Sequence, residues 1–161
     1  MIGSVSLNPG SAYVPEPVMI PTDMARDANR WTVLYDRDCG FCRWSLAQLL
    51  ALDRHRRLRP VALGTPEADQ LLADLTPEQR AASWHLVAPD GRRWSVGAAA
   101  PPLLRLLPGA RLLAALLARA PRTTERTYRW VADHRSAFGK LIPAPAKRRA
   151  DAKIEQRETA D

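Results

Sequence analysis

The fold is decided by one stretch of sequence, residues 31–42, which reads Trp-Thr-Val-Leu-Tyr-Asp-Arg-Asp-Cys-Gly-Phe-Cys. An apolar, β-prone run at 31–35 precedes Cys39 and Cys42, the only cysteines of the chain, and a helical pattern follows them at 43–52. A Cys-x-x-Cys pair at a strand-to-helix junction is typical of a redox-active dithiol. The unpaired backbone N–H groups at a helix start carry partial positive charge, which stabilises a thiolate at the first cysteine.

The cysteine pair has three other interpretations. A structural zinc site needs four ligands, and the remaining candidates are three widely separated histidines, His55, His85 and His134. A permanent structural disulfide would close so short a loop that it would remove little entropy from the unfolded chain. Two inert buried thiols are the simplest alternative. A redox-active pair that cycles between the dithiol and the disulfide is the favoured interpretation.

The residues around the pair resemble a known family. The pattern Tyr-Asp-x-Asp-Cys-x-x-Cys at 35–42 is similar to that of the DCC family of predicted thiol-disulfide oxidoreductases, whose Asp-x-x-Cys-x-x-Cys motif is matched by Asp36, Cys39 and Cys42. The resemblance covers about residues 31–140 through Asp90-Gly91, Val96-Gly97-Ala98, Pro108-Gly109, Tyr128-Arg129-Trp130-Val131-Ala132 and Arg135. It implies a thioredoxin-like fold and a redox dithiol in which Cys39 is the more exposed, attacking thiol and Cys42 the resolving thiol.

Charged side chains next to the dithiol are candidates for tuning it. Asp36 or Asp38 could accept the proton of Cys42 when a mixed disulfide resolves. Alternatively, the Asp36 carboxylate could cap the loop or the helix start, and the two roles are compatible. Arg37 and Arg43 flank the pair, and a nearby positive charge favours a thiolate.

The likeness to thioredoxins themselves is incomplete in three places. Val33 stands where thioredoxins carry a buried acid in the strand before the motif. Ser83 stands where they place a cis-proline beside the dithiol, and Gly-Phe replaces their Gly-Pro between the cysteines. The buried acid and the cis-proline that thioredoxins place beside their dithiol are therefore missing from these positions.

Hydrophobic periodicity predicts the remaining elements. Strands at about 31–36 and 58–63 flank a helix at about 40–54, which predicts a right-handed βαβ unit. Helical sequence follows at about 66–82, where Thr76 and Pro77 indicate a helix start, and residues 83–88 and 92–96 flank the turn at 89–91 as a hairpin. Further helices are predicted at about 99–107, 110–119 and 123–137. The predicted fold is α/β, a thioredoxin-like core (βαβ then ββα) with additional C-terminal helices.

Length and composition predict one compact domain at 30–143 between two flexible segments, and the family resemblance implies that it is a thioredoxin-like oxidoreductase domain. Residues 1–29 lack the basic and apolar regions of a signal peptide and are interrupted by prolines, which predicts a flexible leader. Residues 144–161 are polar and charged, which predicts a flexible tail. Because both cysteines belong to the dithiol, the usage of cysteine fits a cytoplasmic protein in which disulfides are transient.

The net charge of +7 arises mainly from residues 98–143, which hold eight basic and two acidic side chains. Without a recognition helix or stacking platform, this surplus predicts solvated helix faces and no nucleic-acid partner. The same region contains eight leucines, which fit either a core face or a membrane-surface anchor beside arginines: Leu103, Leu104, Leu106, Leu107, Leu112, Leu113, Leu116 and Leu117. Core packing is favoured, so we expect no membrane contact.

The predicted function is that of a thiol-disulfide oxidoreductase whose Cys-Gly-Phe-Cys dithiol exchanges with thiols and disulfides of proteins or small molecules. Cys39 would attack, Cys42 would resolve, and Asp36 would assist or orient. No bound cofactor or metal is expected, because the electrons would come from a reductant or a partner protein. The alternative is a redox-sensing, partner-binding or membrane-peripheral module that does not turn over.

Overall fold

The computed structural model describes residues 29–159, and within this range four strands form one sheet in the order β2-β1-β3-β4. β1 (Trp31–Tyr35) pairs in parallel with β2 (Leu58–Ala62) and antiparallel with β3 (His85–Val87), and β4 (Arg93–Ser95) pairs antiparallel with β3. α1 (Gly40–Leu52) connects β1 to β2. The predicted thioredoxin-like α/β core is confirmed. The predicted leader lies outside the described residues except for residue 29, as do residues 160–161.

The first strand is buried on both faces of the sheet, which explains its continuous apolar sequence. Val33 and Tyr35 pack on the face covered by α1, in one cluster with Leu46 and Leu50. Leu34 points to the opposite face, where it packs in a second cluster with residues of the short helix after β2. Side chains alternate along a strand, so both faces together fix the end of β1 and the loop that carries the dithiol.

The connection from β2 to β3 contains two short helices, α2 (Pro66–Leu71) and α3 (Pro77–Ala82). α3 begins as the sequence predicts. Gln79 N–H donates to Thr76 Oγ1 at 3.3 Å, Thr76 N–H donates to Gln79 Oε1 at 2.9 Å, and Pro77 is the first helical residue. This reciprocal cap satisfies two backbone donors at the helix start. The hairpin between β3 and β4 turns at Gly91, whose φ of 83° favours glycine.

After β4 and a short 3-10 helix (Val96–Ala99) come the helices α4 (Ala100–Leu106), α5 (Arg111–Arg119), α6 (Pro121–Asp133) and α7 (Arg135–Leu141). The predicted core role of the leucines holds for Leu103 and Leu107, which are 7% and 4% exposed. It is wrong for α5, where Leu112, Leu113 and Leu116 are 73%, 49% and 53% exposed. The buried residue of α5 is the small Ala114, so this helix approaches its neighbours closely on one face and leaves these leucines outside.

The predicted flexible tail is wrong for residues 144–159, which form the helix α8 (Ala144–Thr159) packed against α1. Ala150, Ile154 and Arg157 are buried there at 3–5% exposure, and their spacing of four and three residues places them on one helix face. The long stem of Arg157 packs like an apolar side chain, and its charge is neutralised by Asp53. None of the described helices is long and apolar enough to cross a membrane.

Candidate functional site

The two cysteines lie at the first turn of α1, directly after the loop that leaves β1. Cys39 is the N-cap residue of this helix, with extended backbone angles (φ −85°, ψ 103°). The backbone N–H of Cys42 donates to Cys39 Sγ at 3.2 Å, so the sulfur takes the place of the usual capping oxygen. Cys39 and Cys42 are disulfide-bonded, and their Cα atoms are 5.2 Å apart.

The two sulfurs differ in how far solvent reaches them. Cys42 is 4% exposed and belongs to the core side of α1, whereas Cys39 is half-buried at the rim of the loop. Solvent therefore reaches Cys39 more readily than Cys42. The third predicted site residue, Asp36, is also half-buried and lies between the end of β1 and the dithiol.

Asp36 caps the loop and does not cap the helix. Its Oδ1 atom accepts a hydrogen bond from the backbone N–H of Asp38 at 2.9 Å, an Asx turn that shapes the approach to the first cysteine. The N-cap position of α1 is already filled by Cys39. Of the two predicted acids, Asp36 lines the cavities on both sides of the dithiol, and Asp38 lines one of them.

An apolar pocket of about 220 Å³ lies on the Cys42 side of the dithiol. It is enclosed by the first turn of α1, the α3–β3 junction and the α6–α7 region, and is lined by Asp36, Phe41, Cys42, Ser45, Ala82, Ser83, Trp84, Tyr128, Val131, Ala132 and Arg135. The Tyr128 hydroxyl accepts a hydrogen bond from Trp84 N–H at 3.0 Å, and burial raises the pKa of this hydroxyl. The position where thioredoxins carry a proline, Ser83, thus lies beside the dithiol.

A basic pocket of about 360 Å³ lies on the Cys39 side. It is lined by Asp36, Asp38, Cys39, Gly40, Arg135, Ser136, Gly139, Lys140 and Lys147. Phe138 of α7 packs against Phe41 with ring centroids 5.4 Å apart, which holds α7 and its cations against the start of α1. Arg135 lines both pockets and donates to the backbone carbonyl of Ala81 at 3.3 Å.

The arginines that flank the cysteines in sequence do not line these two pockets. Arg43 forms an ion pair with Asp151 of α8 at 3.3 Å. The Tyr35 hydroxyl donates to Glu158 Oε1 at 3.1 Å, and the charge of Arg37 opposes the effect of Glu158 on the pKa of this hydroxyl. Burial, followed by the charge of Glu158, raises the pKa of Tyr35 to about 12. The positive charge nearest the dithiol pockets comes instead from α7 and α8.

Sequence reasoning missed the contribution of Lys140 and Lys147 to the site. The sequence does contain a signal that α8, the helix that carries Lys147, packs on the core. Ala150, Ile154 and Arg157 are spaced to share one helix face, which becomes apparent when the arginine is counted as a buried residue. The sequence carried no local signal that this helix would lie along α1. Among the residues that the structure describes, no three histidine, cysteine, aspartate or glutamate side chains come together as metal ligands.

Comparison with families of known proteins gives a match. The model of the family described as DCC1-like thiol-disulfide oxidoreductase matches residues 33–141, which include both cysteines, both pockets except for Lys147, and helices α1 to α7. No curated protein and no solved structure shows a significant match. The α8 helix lies beyond the matched residues.

Proposed function

This chain belongs to the DCC1-like thiol-disulfide oxidoreductase family, and on that premise we propose that it catalyses disulfide exchange through Cys39 and Cys42. The observation that carries the proposal is the contrast between a half-buried Cys39 at the helix start and a Cys42 that is 4% exposed. The sulfur that solvent reaches is suited to attack, and the protected sulfur is suited to resolution. The cysteine usage of the chain supports a cytoplasmic location.

The exchange proceeds in two displacements. In the reductive direction, the Cys39 thiolate attacks one sulfur of a substrate disulfide, forms a mixed disulfide and releases the other substrate sulfur as a thiolate. Cys42 then loses its proton and attacks Cys39 Sγ, which releases the second substrate thiolate and closes the Cys39–Cys42 disulfide. The protein dithiol loses two electrons and the substrate gains them. A reductant or a partner protein restores the dithiol, so the cycle needs no bound cofactor.

A trapping experiment tests these roles. We expect Cys42→Ser to accumulate a mixed disulfide with bis(hydroxyethyl) disulfide at Cys39, because the resolving thiol is absent. Mass spectrometry of the intact protein measures the adduct, and Cys39→Ser is the matched control, in which the buried Cys42 should form little adduct. An adduct on Cys42 in the control that forms as fast as the one on Cys39 would reverse the assignment of roles.

The role of Asp36 can be tested by separating its charge from its hydrogen bond. The amide oxygen of Asp36→Asn can still accept from Asp38 N–H, so the free energy of unfolding should stay within about 0.5 kcal/mol of the wild-type value. If the carboxylate accepts the proton of Cys42, resolution of the mixed disulfide should slow about tenfold while the first attack is unchanged, since water can partly replace the base.

Asp36→Ala is the companion variant. It also removes the acceptor of the Asp38 N–H and should lower the free energy of unfolding by about 0.5–1.5 kcal/mol. Stopped-flow measurement of the two exchange steps and chemical denaturation give both quantities. Unaltered resolution in Asp36→Asn together with unaltered stability in Asp36→Ala would remove Asp36 from both roles.

One observation favours a second candidate function. This candidate is the redox-sensing module that binds a partner or a membrane surface without turnover. The exposed leucines of α5 would be its binding surface. Arg111 and Arg119 at the ends of this helix would bind anionic lipid in a salt-sensitive way, whereas inserted leucines would resist salt. Multiple turnover of a neutral disulfide under excess reductant supports the enzyme, and a single oxidation without turnover supports the sensor.

A further inference from the structure

The α8 helix brings a lysine to the start of the dithiol helix. A methyl group placed on Gly40, the residue after Cys39, would lie 3.7 Å from Lys147 Cε and 4.0 Å from Lys147 Nζ. Lys147 is half-buried and lines the basic pocket together with Cys39. Because α8 lies outside the residues matched by the family model, this lysine is a feature of this chain that the family assignment does not supply.

The two lysines of the basic pocket have no ion-pair partner in the part of the chain that the structure describes. Across residues 29–159, neither Lys140 nor Lys147 lies within 4.0 Å of a carboxylate oxygen. Two carboxylates, Asp36 and Asp38, also line the pocket, and Asp36 is occupied by the loop hydrogen bond. With Arg135, three cations therefore face two carboxylates around the sulfur that solvent reaches.

The excess positive charge of this pocket lies beside a helix start, where an anion is favoured over a cation. A cation beside the first turn of a helix is repelled by the partial positive charge of the unpaired N–H groups. Electrostatic repulsion also slows the reaction of a thiolate with a disulfide that carries carboxylates near its sulfurs. Cations placed at the attacking sulfur reduce that repulsion for anionic substrates and give no such benefit to cationic ones.

We propose that the basic pocket selects disulfide substrates that carry a carboxylate close to the reacting sulfur, and that Lys147 is the principal contact for this carboxylate. The inference rests on the proposed function, since it concerns the substrate of the same dithiol. The carboxylate can belong to a small anionic disulfide or to an acidic residue beside a cystine in a peptide. Lys140 and Arg135 of α7 also line the pocket and add to its positive potential.

Alkylation of one thiol by two reagents of different charge tests the pocket directly. In Cys42→Ser, Cys39 is the single thiol, and it reacts with either neutral iodoacetamide or anionic iodoacetate by displacing iodide. We expect Lys147→Ala to lower the ratio of the iodoacetate rate to the iodoacetamide rate roughly threefold, the size of a partly exposed charge pair. In Cys42→Ser with Lys147 intact, the ratio of the iodoacetate rate to the iodoacetamide rate should fall as the salt concentration is raised from about 0.05 to about 1 M.

Two further variants in the same background act as controls. Lys147→Arg keeps the charge and should keep the ratio. Lys153→Ala removes a lysine of the same helix that does not line the basic pocket, and it should also leave the ratio unchanged. If Lys147→Ala slows both reagents equally, the lysine acts on the thiolate alone and the proposal is wrong. A ratio that does not respond to salt would overturn it as well.

Disulfide substrates separate this inference from the function on which it rests. Dithiodiglycolate is anionic, bis(hydroxyethyl) disulfide is neutral and cystamine is cationic. The rate of exchange with each is divided by the rate at which free dithiothreitol reduces the same disulfide. We expect this relative rate at Cys39 to be roughly three- to tenfold higher for the anionic disulfide than for the cationic one. Equal relative rates for the three would overturn the inference and leave the exchange function intact. A Cys39 that reacts with none of them would contradict the proposed function itself.

Two additional substrates identify the source of the carboxylate. Oxidised glutathione represents a small anionic disulfide. A cystine-bridged peptide with glutamate beside each cysteine represents an acidic protein segment, and the same peptide with glutamine is its matched control. The pocket receives the type of anionic substrate whose exchange rate falls more in Lys147→Ala than in Lys153→Ala. If neither anionic substrate reacts more slowly in Lys147→Ala, the proposal is overturned.

Discussion

Arg157→Met is expected to lower the free energy of unfolding by about 3–5 kcal/mol, because it leaves a buried carboxylate without its charged partner. Arg157 Nη1 donates to Asp53 Oδ2 at 3.0 Å, and the side chains of this pair are 5% and 0% exposed. The guanidinium also donates to the backbone carbonyls of Leu50 and Leu58 at 3.1 and 3.3 Å. Denaturant unfolding followed by circular dichroism measures the loss.

A double-mutant cycle isolates the pair from its surroundings. Asp53 also accepts from the backbone N–H groups of Arg57 and Leu58, so Asp53→Asn should be destabilising by itself, and the double variant should lose less than the sum of the single variants. Arg149→Met, on an exposed position of the same helix, is the control and should stay within about 0.5 kcal/mol. A cost below about 1 kcal/mol for Arg157→Met would mean that the pair contributes little.

Leu103→Ala is expected to cost about 2–5 kcal/mol, because it removes a buried side chain and leaves a cavity. Leu103 is 7% exposed and packs in the cluster that includes Leu46 and Leu50 of α1. Leu113, ten residues later in the same leucine-rich stretch, is 49% exposed. Leu113→Ala should therefore change the free energy of unfolding by about 0.5 kcal/mol or less.

The two leucine variants together test the orientation of α4 and α5. Thermal and denaturant unfolding of both proteins under the same conditions give the comparison. Equal losses in the two variants would show that the leucine side of α5 is buried in solution, by self-association or by another part of the chain. A small change in the free energy of unfolding for Leu103→Ala would indicate that the C-terminal helices do not pack against the sheet.

The core of the fold was predictable because its signals are local. The apolar run of β1, the dithiol at a helix start and the reciprocal cap of Thr76 and Gln79 each depend on residues within a few positions of one another. The predicted site residues Cys39, Cys42 and Asp36 lie together for the same reason, since a strand end and the following helix start fix their spacing. Local sequence also gave the turn at Gly91.

The parts that could not be predicted depend on packing between distant segments. The leucines of α5 have the pattern of a buried face, but their exposure depends on Ala114 setting the side on which this helix meets its neighbours. Residues 144–159 have the composition of a solvated tail, and Arg157 becomes a core residue only because Asp53 is placed opposite it. The cations around Cys39 follow from the same packing, so their role in the site was not visible in the sequence.

The attachment of α8 along α1 changes what counts as the folding unit of this protein. The family match ends at residue 141, yet Ile154 completes the cluster under the dithiol helix, and Arg157 satisfies a carboxylate at the end of that helix. A chain shortened to residue 141 would expose the apolar surface of α1 that α8 covers and would leave Asp53 without its charged partner. The family match thus covers the dithiol, whereas the packing that supports the dithiol helix continues to Arg157 of α8.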